Sequence, residues 1–132
     1  MKVTADTNIL VRAAVNDDEA QARAAMDVLR GAELIAVPMA AMCEFVWVLR
    51  SVYKFETQEI SGAIGALLGA ANVSVNRPAI DAGLAALNAG GDFADGVIAY
   101  EGGWLGGEIF VSFDRKAVGI LASQGQQTRL LE

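Results

Sequence analysis

The stretch that decides the fold is Lys2-Val3-Thr4-Ala5-Asp6-Thr7-Asn8-Ile9-Leu10-Val11-Arg12, where a short apolar run ends at an acid and helical spacing begins. We predict a strand over Lys2 to Ala5 and a helix over Asn8 to Ala14. In open α/β sheets, ligands bind beyond the carboxyl ends of the strands. Asp6 therefore stands where such a sheet would carry a functional side chain.

The same alternation of apolar runs and helical stretches continues to the end of the chain. Further strands are predicted over Glu33 to Val37, Asn72 to Val75, Glu108 to Phe113 and Thr128 to Leu131. Six further helices are predicted. They span Asn16 to Arg30, Met39 to Tyr53, Thr57 to about Gly69, Pro78 to about Asn88, Phe93 to Leu105 and Arg115 to Ala122. Asn16 with Glu19 resembles a capping box, Thr57 can cap its helix, and Pro78 suits a first helical turn. This order predicts an α/β fold with a central, mainly parallel sheet of four to five strands and helices on both faces.

Composition limits the classes of protein to consider. The 132 residues fit one domain, 1–132, and 54% hydrophobic with 20% charged residues excludes a disordered chain. Cys43 is the only cysteine, so no intrachain disulfide forms. Asp6 interrupts any secretory signal, and the uncharged run from Ile60 to Asn76 is too short and too polar to cross a bilayer. We expect a cytoplasmic protein with no membrane segment.

The absence of histidine restricts the chemistry further. It excludes Ser-His-Asp and Cys-His catalysis, histidine-ligated zinc and histidine acid–base catalysis. Any reaction must depend on carboxylates, hydroxyls, lysine, arginine, Cys43 or a bound ion.

Five acids occupy positions at which such chemistry is possible. Asp6 and Asp114 each follow a predicted strand, while Glu44 interrupts the apolar stretch from Met42 to Trp47. Asp92 and Asp95 open a predicted helix, near the positive end of its dipole.

Each acid also has an ordinary structural interpretation. Asp6, Asp92 and Asp114 could be helix caps, and Asp95 could be a common first-turn acid. Glu44 could face solvent or pair with Arg50 or Lys54. The combination favours a shared site, because converging carboxylates repel one another and a divalent cation relieves that repulsion.

Hard oxygen ligands select Mg²⁺ or Mn²⁺, which suggests phosphodiester hydrolysis. Asn8 and Ser112 lie beside the acids and could orient a carboxylate or a bound water. The net charge of −6 alone argues weakly against a nucleic-acid partner. Cations near the acids could still hold phosphates; the candidates are Arg12, Arg50, Lys54, Arg115 and Lys116. For Trp47 and Trp104, packing in the core or in a dimer is favoured over stacking on RNA.

Four segments resemble, in order, the motifs of PIN-domain nucleases, particularly the VapC toxins of bacterial toxin–antitoxin pairs. The segments are Asp6-Thr7-Asn8-Ile9-Leu10-Val11-Arg12, Glu44-Phe45-Val46-Trp47-Val48-Leu49, Asp92-Phe93-Ala94-Asp95 and Ser112-Phe113-Asp114-Arg115. The resemblance implies a PIN-like three-layer α/β/α sandwich and an Mg²⁺- or Mn²⁺-dependent endoribonuclease. It assigns catalytic metal-site roles to Asp6, Glu44, Asp95 and Asp114, with Asp92 as a fifth acid and Asn8 and Ser112 in support.

The resemblance also implies a homodimer, an RNA substrate and a cognate antitoxin that blocks the site. Three alternatives remain open at this point. A phosphatase of the haloacid-dehalogenase type would need a D-x-D motif, but Asn8 follows Asp6 by two positions. A response-regulator receiver would need an acid after the third strand, where Val75-Asn76-Arg77 stands. A catalytically silent PIN-like module that binds RNA or protein is the third.

Overall fold

The computed structural model describes residues 1–132, which divide into two compact units, Met1–Asn76 and Arg77–Glu132. Each unit has its own sheet and its own helices. The single domain over 1–132 stays a prediction. No helix in the chain combines the length and the apolar character needed to cross a membrane.

The first unit is a three-stranded parallel sheet with four helices. Its strands have the order β1-β2-β3, and Val3, Ile35 and Val73 are aligned across it. The elements are β1 (Lys2–Thr4), α1 (Thr7–Ala14), α2 (Glu19–Gly31), β2 (Leu34–Ala36), α3 (Met39–Ser51), α4 (Thr57–Leu68) and β3 (Val73–Ser74). Two helices thus connect each strand to its parallel neighbour, as crossover connections require.

Two helix starts in this unit differ from the predictions. The capping box predicted at Asn16 and Glu19 is wrong, because the Asp18 side chain caps α2 by accepting from the Gln21 amide at 3.1 Å. The cap of α4 is Glu56, which forms a reciprocal capping box with Glu59. Aspartate satisfies free helix amides as well as asparagine does, so the choice between neighbouring caps depends on the path of the chain.

The core of the first unit lies between the sheet and its helices. Ile35 of β2 is 1% exposed, and α3 buries Met42, Phe45 and Leu49 to 2% exposure or less. The Asn72 amide fastens β3 to the end of α2 by donating to the Leu29 and Ala32 carbonyls, each at 2.9 Å.

The second unit is a two-stranded parallel sheet with three helices. Phe110 pairs with Thr128, and Ser112 with Leu130. The elements are α5 (Arg77–Asn88), α6 (Phe93–Trp104), β4 (Phe110–Ser112), α7 (Arg115–Ser123) and β5 (Thr128–Leu130). The α/β class and the parallel strand pairing predicted from the sequence are confirmed. Hydrogen bonding divides the five strands into sheets of three and two.

Helices α5 and α6 approach each other closely at two glycines. A Cβ at Gly96 would overlap the Ala82 carbonyl oxygen, and a Cβ at Gly83 would lie 2.6 Å from the Phe93 ring. Phe93 and Ile80 are fully buried at this contact. The contact therefore depends most on Gly96, because the backbone atoms of Ala82 cannot move aside as a flexible side chain can.

We expect Gly96→Ala to destabilise the protein by about 1–3 kcal/mol, since the methyl group must separate α5 from α6. Urea unfolding measures the loss. The matched control is Gly102→Ala in the same helix, where a Cβ meets nothing within 4 Å. That change should leave stability equal or raise it by up to about 1 kcal/mol. Equal effects of the two substitutions would contradict the proposed contact.

Candidate functional site

Three of the predicted acids lie at the N-termini of α6 and α7, within the second unit. Asp92 caps α6 by accepting from the Ala94 amide at 3.1 Å, and Asp95 lies in the first turn of that helix. Asp114 caps α7 by accepting from the Ala117 amide at 3.1 Å. Both helix N-termini contribute partial positive charge, which favours carboxylates at these positions.

Asp95 is the most perturbed of these acids. Its half-buried position raises the pKa of its carboxyl group above the ordinary value of 3.8, and the negative charges of Asp92 and Asp114 raise it further. Both effects disfavour the ionised form. Asp92 and Asp114 are therefore close enough for their charges to act on Asp95.

Ser112 supports this arrangement through the backbone. Its Oγ accepts a hydrogen bond from the Asp114 amide at 2.9 Å, at the turn between β4 and α7. The hydroxyl therefore fixes the turn that carries Asp114.

Asp6 and Asn8 lie in the first unit, immediately after β1. Asp6 is exposed and caps α1, with its Oδ1 accepting from the Thr7 amide at 2.7 Å. Asn8 is exposed in the first turn of the same helix. The cap occupies only one carboxylate oxygen, so the other remains available to a ligand.

Glu44 also lies in the first unit, on α3. Its side chain is exposed, and it forms no ion pair with Arg50 or Lys54. Arg50 donates instead to Thr57 Oγ1 at 2.9 Å, and Lys54 donates to the Ser51 carbonyl at 2.8 Å. Of the interpretations left open for Glu44, the ion pair is wrong and the solvent-facing position is observed.

In neither unit do three or more Asp, Glu or Cys side chains group closely enough to form a ready-made metal centre. The structure brings Asp92, Asp95 and Asp114 into electrostatic contact in the second unit, while Asp6 and Glu44 belong to the first. Carboxylate oxygens suit Mg²⁺ or Mn²⁺, which commonly retain several water ligands. The metal-site roles of these acids stay a prediction.

Arg12 is held by a group of side chains that the sequence did not reveal. Its Nη1 donates to Asp17 Oδ1 at 2.8 Å, and its Nε donates to Gln21 Oε1 at 2.6 Å. The Tyr53 hydroxyl donates to Asp17 Oδ2 at 2.8 Å. This clasp of Arg12, Asp17, Gln21 and Tyr53 ties the end of α1 to the start of α2 and the end of α3. A phosphate contact by Arg12 stays a prediction and would require these bonds to break.

Arg115 and Lys116 are less constrained, at the first turn of α7 beside Asp114. Arg115 is highly exposed and makes one ion pair, with Glu132 at 3.4 Å. Lys116 is exposed. The exposed ion pair of Arg115 contributes little to stability, so the guanidinium can leave it at low cost. The side chains of Arg115 and Lys116 are therefore both free to move.

Both tryptophans are exposed, so of the two positions favoured for them the core is wrong, and packing in a dimer stays a prediction. Trp47 is 61% exposed on α3, and Trp104 is 77% exposed at the end of α6. The sequence spacing could have predicted the exposure of Trp47. The buried residues Met42, Phe45, Val46 and Leu49 define one face of α3. Trp47 follows Glu44 by three positions and lies with it on the opposite face. Helix α6 continues through Gly102 and Gly103 to Trp104, and Gly106, with φ of +101°, follows the helix end.

Comparison with known proteins adds an independent finding. The family model described as the PIN domain matches residues 3–117, which is most of the chain. This span contains all four motifs identified in the sequence. No curated protein matches the chain significantly.

We expect Asp95→Asn to stabilise the protein near neutral pH. Because the folded-state pKa of Asp95 is raised, the folded state binds protons more readily than the unfolded state does. Stability contributed by this group is present below the unfolded pKa of 3.8 and is lost as pH rises towards the folded pKa. The melting temperature of the variant should therefore exceed that of the wild type at about pH 7, and the difference should shrink by about pH 3.

Asp81→Asn is the matched control, since Asp81 is an exposed acid of the same unit. Its melting temperature gives the effect of removing one exposed negative charge from this unit. Added Mg²⁺ should raise the melting temperature of the wild type more than that of Asp95→Asn. A lower melting temperature for Asp95→Asn at neutral pH would contradict the raised pKa.

We expect Tyr53→Phe to raise the pKa of Asp17. The hydrogen bond from Tyr53 is the main cause that holds the pKa of Asp17 below 3.8, with the charge of Arg12 contributing further. Carboxyl ¹³C NMR titration measures the change, and the neighbouring Asp18 serves as the internal control. An unchanged titration of Asp17 would show that the Tyr53 hydrogen bond to Asp17 does not form in solution.

Proposed function

The chain belongs to the PIN-domain family, and from this premise we propose that it is a divalent-metal-dependent endoribonuclease. PIN domains are a nuclease-type family, typically metal-dependent. The observation that carries the proposal is the half-buried Asp95, whose pKa is raised by burial and by the charges of Asp92 and Asp114. Perturbed acids of this kind are typical of catalytic sites.

The acids assigned to the metal site are Asp6, Glu44, Asp95 and Asp114, with Asp92 as a further candidate. Asp6 and Glu44 are exposed and free of ion pairs, which suits a role as ligands. When bound, Mg²⁺ or Mn²⁺ would polarise a phosphoryl oxygen and lower the pKa of a coordinated water. The crowding at Asp95 supports this choice, because a cation offsets like charge.

The chain's own groups then take defined roles in hydrolysis. A carboxylate oxygen of Asp95 or of Asp114 would accept the proton of the attacking water. The water oxygen bonds to phosphorus as the bond to the 3′-oxygen breaks, and the leaving oxygen takes a proton from solvent. The products carry 5′-phosphate and 3′-hydroxyl ends. Arg115 and Lys116 hold neighbouring phosphates, and Asn8 and Ser112 orient the acids.

We further propose that the nuclease is a VapC-type toxin, acting as a homodimer and blocked by a cognate antitoxin. The mean hydropathy of +0.37 and the exposed apolar side chains support protein partners. The first unit contains an open cavity of about 730 Å³, lined mainly by apolar side chains of α1, α2 and α4. Such a lining suits the apolar side of an antitoxin helix.

The test of the nuclease is cleavage of single-stranded RNA with Mg²⁺, with Mn²⁺ and with EDTA. The wild type should cleave with either metal and not with EDTA. Asp95→Asn and Asp6→Asn should each lower the rate by about 10²- to 10⁴-fold. Asp81→Asn, an exposed acid outside the assigned set, should cleave at the wild-type rate.

Metal-independent cleavage, or undiminished cleavage by both site variants, would reject this mechanism. RNA that is bound but left intact would identify a silent binding module instead. For the toxin role, the product of an adjacent short reading frame should form a stoichiometric complex with the chain and abolish cleavage. Failure of that product to bind would overturn the toxin role and leave the nuclease assignment intact.

A further inference from the structure

The turn between α5 and α6, in the second unit, leads directly into the acid that caps α6. Two backbone hydrogen bonds close this turn. The Gly90 amide donates to the Leu87 carbonyl at 3.0 Å, and the Gly91 amide donates to the Ala86 carbonyl at 2.9 Å. Because the cap, Asp92, follows Gly91 immediately, a contact on this turn also fixes where α6 begins.

Helix α7 packs on this turn through Ile120. A Cβ at Gly91 would lie 2.7 Å from the Cδ1 atom of Ile120, which is closer than side-chain atoms normally approach. The end of the Ile120 side chain therefore lies directly on the backbone of the turn. Asp114 caps the same helix six residues before Ile120, about 9 Å away along the helix axis.

A side-chain hydrogen bond joins the other end of α7 to α5. The Nε2 atom of Gln124, the C-cap residue of α7, donates to the Ala85 carbonyl at 3.0 Å. That carbonyl lies in the last turn of α5 and also accepts from the Ala89 amide at 3.2 Å. A carbonyl oxygen has two lone pairs, so both bonds form together. Helix α7 is thus fastened to the α5–α6 pair at two points.

The separation of α6 from α7 matters because both helices begin with acids. Asp92 caps α6 and Asp114 caps α7, and the charges of both act on Asp95 in the first turn of α6. The energy between charges depends on their distance, so a shift of α7 relative to α6 changes how these groups interact. On its other contacts α7 packs against β4 and β5, which carry none of these acids.

We propose that Ile120 and Gln124 are positioning residues for the acid site. By holding α7 against the turn before α6, they set how far Asp114 lies from Asp92 and Asp95. A helix moves as a nearly rigid rod, so a displacement at Ile120 is passed on to its N-terminal cap. This inference rests on the proposed function, because the three acids are taken there as parts of one site.

The first test exchanges space at the contact with the turn. Gly91→Ala places a methyl group against Ile120 and should push α7 away, whereas Ile120→Val removes the Cδ1 atom that this methyl group meets. The Mg²⁺ concentration for half-maximal cleavage of single-stranded RNA should rise about 10-fold in Gly91→Ala. The double variant should recover most of the loss. The matched control is Gly119→Ala in α7, where a Cβ meets nothing within 4 Å.

The second test removes the hydrogen bond to α5. Gln124→Met keeps the length of the side chain without its donor, and it should raise the half-maximal Mg²⁺ concentration by less than Gly91→Ala does. Gln124→Lys restores a donor and should recover the wild-type value. Gln126→Met is the matched control, since Gln126 is an exposed glutamine of the same segment. Melting temperatures measured alongside show that each variant folds.

A distance measurement follows α7 without any cleavage. In a Cys43→Ser background, which removes the only native cysteine, nitroxide labels are attached at cysteines replacing Glu101 of α6 and Lys116 of α7, both exposed. Electron–electron resonance should give a longer distance in Gly91→Ala, a restored one in the double variant and no change in Gly119→Ala.

The failure of this inference differs from the failure of the proposed function. If the wild type cleaves RNA and Gly91→Ala leaves the half-maximal Mg²⁺ concentration unchanged, the positioning role is wrong and the nuclease stands. A lower melting temperature with that concentration unchanged would show a contact that only stabilises the fold. If no protein cleaves, the nuclease is wrong, while a distance that lengthens in Gly91→Ala and returns in the double variant still supports the placement of α7 by Ile120.

Discussion

Three carboxylates repel one another at the N-termini of α6 and α7, and the fold of the second unit holds them there against that repulsion. Asp92 and Asp114 are anchored as helix caps, each accepting one backbone amide hydrogen bond. Asp95 makes no such cap and is half-buried, so the unfavourable charge is concentrated on it, and its pKa rises. The partial positive charge of the two helix N-termini reduces the repulsion without removing it.

Asp95 adjoins a close contact between two helices. Its neighbour Gly96 lies against the backbone of α5 at Ala82, where a Cβ would not fit. Asp95 itself is half-buried in the first turn of α6. A glycine that the helix contact requires and an acid of a family motif are therefore consecutive in the sequence.

The sequence predicted the elements well where a pattern is local. The strand ends at Asp6 and Asp114 and the cap at Asp92 follow from short-range spacing, and the structure has them. The clasp at Arg12 could not be predicted, because Tyr53 is far from it along the chain and meets it only through packing. Packing of Trp47 in the core or in a dimer was predicted from the apolar composition of its helix, whereas its exposure within the chain depends on which side of α3 it occupies. The division of the strands into two sheets also depends on long-range pairing that no local pattern encodes.

One feature of this chain opposes stability, and it belongs to a segment that carries a family motif. Asp95 is half-buried beside Asp92 and Asp114, and both the burial and the neighbouring charges disfavour its ionised form. An asparagine at this position would keep the shape of the side chain and remove the charge. Departures from local consistency are expected where a site needs a ligand to complete it. The carboxylate at Asp95 is therefore better explained by function than by the stability of the fold.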